Sequence, residues 1–276
     1  MFGLEWSELI FTVAVLGACG LAGGFFAGLL GIGGGIIFVP VFYYVFTSAF
    51  HVDPTVAMML ATGTSLACMI PTSITAAAAQ YRNGNINVQT IKTWAPGLII
   101  GVLLGSLISS FYGGKWLVIL FGVMMLLNSL NTFFRAKAKP MFESLPGPWW
   151  QRLIALSISF LSVMLGVGGG TLTIPVLNAC SEKPHRSVGT SSAVTLFVGI
   201  PGALVLFFTG VTPDNAPIFT VGYVSLLAVA CVIPLSILGA PFGVKIGKGV
   251  SPITLKRIFA VGMFLVSIRM LISGLS

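Results

Sequence analysis

Apolar residues in this chain run in long blocks separated by short polar clusters, without the strict alternation of a half-buried strand. Set against the roughly 20 residues that carry a helix across a bilayer, the blocks fall at about 9–30, 36–50, 55–80, 90–111, 116–134, 151–168, 171–180, 187–210, 219–244 and 254–273. The pattern predicts an all-α polytopic membrane protein with about 8 to 10 membrane segments. No stretch between the blocks is long enough for a sizeable soluble domain. The opening "MFGLEWSELIF" lacks the basic start and small-residue cleavage site of a signal peptide, so the first block is expected to be retained.

Composition agrees with the pattern and narrows the chemistry. Hydrophobic residues make up 56% of the chain and charged residues 7%, far from the quarter or so of charged residues in a water-soluble domain. Mean hydropathy is +1.04. Cys19, Cys68, Cys180 and Cys231 stand singly among apolar neighbours, and the histidines are His51 and His185 alone. No metal or other cofactor is expected from that set, and no nucleic-acid partner.

The chain repeats itself. "GIGGG" (Gly31 to Gly35) matches "GVGGG" (Gly166 to Gly170), and Pro40, Pro54, Pro71, Gly84, Pro96, Gly101, Gly105 and Phe121 match Pro175, Pro184, Pro201, Gly222, Pro234, Gly239, Gly243 and Phe259. Two transmembrane repeats, 1–134 and 151–276, are therefore expected, joined by a cytoplasmic linker at 135–150. Basic residues set their orientation, because lysine and arginine collect on the cytoplasmic side of short loops. Let each triple-glycine pair of segments enter and leave on one side. One face then collects Arg82, Lys92, Arg135, Lys137, Lys139, Arg152, Lys183, Arg186, Lys245, Lys248, Lys256 and Arg257, leaving Lys115 and Arg269 opposite. That solution makes the repeats inverted and puts the amino terminus outside.

The glycine runs carry the candidate chemistry. The block after the second run spans only about 15 Å as a helix, so it is expected to be a short broken or re-entrant helix with the glycines at its tip. Non-helical backbone is tolerated at membrane depth only inside protein or along a cavity. Free amides and the positive dipole end of each half-helix would then face the membrane centre, where Gly33, Gly34, Gly35, Gly168, Gly169 and Gly170 let an anion come close. Close helix packing is the competing account of the same glycines. Pro40 and Pro175 break each short helix five residues on. Hydroxyl clusters follow: Thr62, Thr64 and Ser65 before Pro71, and Thr190, Ser191, Ser192 and Thr195 before Pro201. These offer donors to an anion, or satisfy carbonyls that the prolines free.

The stretches "GLLGIGGGIIFVPV", "GVGGGTLTIPV" and "GTSSAVTLFVGIPGAL" resemble the sulfite exporter TauE/SafE family over about residues 9–273. The resemblance implies a transporter of the bacterial or archaeal cell (inner) membrane for sulfite, sulfoacetate, taurine-related or other sulfur-containing anions. It also implies about seven to nine spans, typically eight from a four-span duplication, which differs in count from the charge solution above.

The remaining polar residues add little. Glu5, Glu8, Asp53, Glu143, Glu182 and Asp214 fall in termini or loops, so no buried proton relay is expected. Asp53 and His185 sit at matching points and read chiefly as loop residues, with a gate as the alternative. Gln80, Asn128, Asn131 and Arg269 lie in or near spans, where polar groups are functional or tie helices together. An enzyme would need a catalytic cluster in a span, and no such motif is present. A membrane scaffold or assembly protein and a carrier of a non-sulfur organic anion are the competing functions. The expected partners are the lipid bilayer and a small anionic substrate, with a homodimer left open.

Overall fold

The computed structural model describes residues 6–30, 32–112, 114–134, 140–247 and 252–275. Among them run ten helices, α1 (Trp6–Leu30), α2 (Gly35–Ser48), α3 (Pro54–Arg82), α4 (Val88–Tyr112), α5 (Lys115–Phe134), α6 (Pro148–Leu165), α7 (Gly170–Ala179), α8 (Pro184–Thr209), α9 (Leu226–Gly247) and α10 (Pro252–Leu275). Each coincides with one apolar block. Seven are long and apolar enough to cross a membrane; α2, α6 and α7 have 14, 18 and 10 residues.

Local sequence explains the boundaries. Pro54, Pro148 and Pro184 open α3, α6 and α8, where a missing N–H costs nothing and the fixed φ suits the helix. Asp53 caps α3: one carboxylate oxygen accepts from the Thr55 N–H at 2.8 Å and also from the Thr55 hydroxyl. Those two bonds hold its carboxyl below the ordinary range, and they give Asp53 a capping role. The ninth block departs from expectation at its start. Phe219 at φ 59 and Gly222 at φ 56 interrupt it, and Thr220–Val221 (β1) pairs antiparallel with Val224–Ser225 (β2). Helix α9 begins only at Leu226.

Helix α3 forms the centre, with 78% of its apolar window buried. It packs on α8; α1 packs on α9, α4 on α6, and α5 on α10. Small residues allow the tightest of these approaches. A Cβ on Gly20, Gly24 or Gly28 would run into the backbone of Val232, Ser236 or Ala240, and one on Gly97, Gly101 or Gly105 into that of Arg152, Leu156 or Phe160. Both series ascend together, so α1 runs parallel to α9 and α4 parallel to α6.

The connections sort onto two ends of the bundle. One end holds the loop before Asp53, the Lys115 start of α5 and the end of α8, where Ser110 Oγ and Thr209 Oγ1 lie 3.1 Å apart. At the other, Asn87 donates to Glu182 at 2.8 Å, and the Met141 N–H donates to the Ala179 carbonyl at 2.9 Å. Consequently α2 runs from its glycine turn to the first end, and α7 from its own turn to the second.

Candidate functional site

The two glycine turns have matching backbones. Gly33 and Gly34 stand at φ 79 and 81, Gly168 and Gly169 at φ 68 and 80, a left-handed region that L side chains enter at about 1–2 kcal/mol. Gly34 and Gly169 are the N-caps of α2 and α7, and as glycines they supply no side-chain cap to the first turn. The helical ladders start with the N–H groups of Ile37 and Phe38 donating to the Gly34 carbonyl, and those of Leu172 and Thr173 to the Gly169 carbonyl. The amides of Gly35, Ile36, Gly170 and Thr171 therefore precede their ladders, as first-turn donors do.

These turns, far apart in sequence, touch. A Cβ on Gly35 would lie 2.6 Å from the Gly166 carbonyl and 2.9 Å from the Val167 Cα. Ser65 from α3 donates to that same Gly166 carbonyl at 2.8 Å, and Thr62 packs against Gly166. Beside the turns lies a cleft of about 10 Å³ lined by Ala27, Gly33, Thr72, Ser73, Ala76, Ser192 and Thr195, room for about one water. None of its lining residues is charged.

Several hydroxyls around the turns are buried without a partner: Thr62, Ser73, Ser162, Thr171 and Thr173. A buried unpaired hydroxyl costs about 1–3 kcal/mol; Ser162 lies against Gly169 and Ser73 lines the cleft with Gly33, while Thr62 stands against Gly166, further back along α3. Other hydroxyls are spoken for. Ser191 and Ser192 donate to the Val188 carbonyl, Thr195 to that of Ser191, and Thr72 to that of Met69. Thr64 and Thr190 face elsewhere. Thr64 accepts from the Ser225 N–H at 3.0 Å and Thr190 from the Asn87 N–H at 3.0 Å, so each holds the segment leading into a helix from the other half of the chain.

The prolines are where expected, with Pro40, Pro71, Pro175 and Pro201 inside α2, α3, α7 and α8. Pro175 cannot donate to the Thr171 carbonyl, and Asn128 of α5 points its amide there at a long 3.5 Å. Asn128 is thus a helix-to-helix tie. Gln80 accepts from Asn85 at 2.8 Å near the second end. Arg269 lies over the Tyr44 ring at 4.5 Å, near the first end. Sequence reasoning passed over Met69, Thr72, Ser73, Ser162 and Thr173. Thr72 and Ser73 had a signal, since they directly follow Pro71; Met69 had none, being one apolar residue among many. Among the described residues no group of three His, Cys, Asp or Glu side chains is placed to hold a metal.

A family model described as the sulfite exporter TauE/SafE matches residues 16–270. The chain belongs to that family. Relatives extend over nearly its whole length. A probable membrane transporter protein of Haemophilus influenzae is 26% identical over 91% of this chain and 95% of its own. One from Bacillus subtilis is 24% identical over 96% and 99%, and one from Methanocaldococcus jannaschii 28% identical over 89% and 90%. No solved structure matches. Family membership makes the chain a multi-pass membrane transporter of the bacterial and archaeal kind, and not an enzyme.

Proposed function

We propose that the chain carries small sulfur-containing anions such as sulfite, sulfoacetate or related sulfonates through a site at the meeting of its two glycine turns. Backbone amides at the starts of α2 and α7 would bind the anion's oxygens, with Ser and Thr hydroxyls completing the shell. The observation that carries this reading is the contact of the two glycine turns, in which the start of α2 at Gly35 meets Gly166 and Val167 just ahead of the start of α7, with unpartnered hydroxyls at Ser162 beside Gly169 and Ser73 in the cleft with Gly33. Oriented amides at a helix start favour negative charge. Each anion oxygen accepts several bonds, which suits a small oxyanion.

The same reading takes the halves as inverted repeats. Its support is the pairing of helices: exchanging α1–α5 with α6–α10 turns the α1–α9 contact into α6–α4, α2–α3 into α7–α8 and α4–α8 into α9–α3, while α3–α8 and α5–α10 map onto themselves. Inverted repeats with broken helices at their interface are a common transporter plan. The end bearing Arg82, Arg152, Lys183 and Arg186 is then cytoplasmic and the amino terminus outside. Export is the natural direction, since the basic face gathers anions on the cytoplasmic side.

Purified protein in liposomes, offered sulfite, sulfate, thiosulfate, sulfoacetate, taurine and acetate, tests this. Sulfur oxyanions should move fastest and compete with one another. Preference for acetate would point to a non-sulfur organic anion, and no flux of any solute to a scaffold.

A further inference from the structure

One side chain lies over both glycine turns at once. The Met69 sulfur is 3.2 Å from the Cβ position of Gly33, 2.9 Å from that of Gly35 and 2.9 Å from that of Gly168. Met69 is fully buried. Across from it, the Thr195 methyl lies 3.2 Å from the Cβ position of Gly33 and 2.8 Å from that of Gly168. Between them the two side chains cover Gly33 and Gly168, and Thr195 also lines the single-water cleft. A small oxyanion does not fit while both stay in place.

The contacts across the halves align Gly63 with Gly189, one helical turn away from the register that Pro71 and Pro201 set in the sequence, and in that alignment the two positions correspond. Gly63 and Gly189 each press against backbone in the opposite half, at Tyr223 and Asn85, and Thr64 and Thr190 each accept from a pre-helix N–H there. Counting on six residues from Gly63 and from Gly189 reaches Met69 and Thr195. One half therefore supplies a long flexible thioether where the other supplies a short hydroxyl.

We propose that Met69 is the mobile plug of the anion site, swinging off the glycine amides to admit substrate and back to close the path. The inference rests on the site proposed above. A thioether has no donor to offer an anion and is a weak acceptor, so Met69 competes with the substrate for space and does not solvate it. Its unbranched chain has three rotatable bonds and moves at little cost. The carbonyl of Met69 accepts from Thr72 at 2.9 Å, just before the break at Pro71, which anchors the backbone while the side chain turns.

The test uses full-length protein with methyl-labelled methionine, sulfite as the probe, and Met69→Leu to identify the resonance. Saturating sulfite should shift the Met69 methyl signal. Met69→Ala should bind sulfite at least about threefold more tightly and pass larger sulfonates, and Met69→Phe should lose binding. Suppose sulfite binds the wild type and not Gly169→Leu, while the Met69 signal stays still and Met69→Ala is unchanged. The plug is then wrong and the site stands. Absence of sulfur-anion binding by the wild type overturns both. The methyl signal is read on wild-type protein, so a poorly folded Met69→Ala leaves the proposal open to refutation.

Discussion

At the scale of single residues, glycine does two different jobs here, and substitution separates them. Gly33 and Gly168 hold positive φ at the turns, so Gly33→Ala or Gly168→Ala should cost about 1–2 kcal/mol from backbone strain alone and lower the melting temperature. Gly262, which has open space around it, is the control; Gly262→Ala should be neutral or stabilise by up to about 1 kcal/mol. Equal melting shifts for all three would remove the special role of the turns. For transport, Gly34→Leu or Gly169→Leu should abolish flux while leaving inserted protein, because a side chain covers the amides. Normal flux by either variant moves the site elsewhere. The triplets stood out in the sequence because they recur in matched surroundings, and close packing is among their roles, since a Cβ on Gly35 or Gly166 would meet backbone. The plug was not legible, since a methionine in an apolar span carries no signal until its neighbours are known.

At the scale of elements, boundaries were legible to within about three residues: α8 opens at Pro184 where the block began at 187, and α6 opens at Pro148, inside the expected linker, and closes before Gly166. They were missed where an apolar segment forms a small hairpin, as at Thr220–Ser225, because hydropathy does not separate buried strand from buried helix. That hairpin gives Thr64 its partner, which changes the expectation for two candidate site residues. Thr64→Val would strand a buried N–H at Ser225, and Thr190→Val a part-buried one at Asn87. Each should destabilise by about 1–3 kcal/mol, and their effects should add, since they serve different connections. Thermal unfolding in detergent reads this directly. If the threonines bind substrate instead, flux falls while the melting temperature holds.

For the whole molecule, the decisive question is which end faces the cytoplasm. The fold sends α2 and α7 to opposite ends from touching turns, so a rocking motion about those turns would expose one site to either side in alternation. The surroundings of the two short helices differ. Around α2, Phe38, Phe42 and Phe46 stack along the helix, and Tyr43 and Ser273 oxygens lie 3.1 Å apart while Tyr44 donates to the Arg269 carbonyl. Beside α7 a mostly apolar groove of about 340 Å³ lies between α5, α6 and α7, lined by Leu127, Asn128, Leu161, Leu172 and Pro175. Loading from the α7 end fits export only if that end is cytoplasmic, as its basic residues argue. A cysteine replacing Lys183, exposed at the α7 end, should then react with an impermeant thiol reagent only from the cytoplasmic side of oriented vesicles. A cysteine replacing Asp214, exposed in the segment after α8, should react only from outside. Reaction of both from one side would sink the inverted arrangement, and a clean reversal would leave the fold intact while turning the basic end, and the favoured direction of loading, toward the exterior.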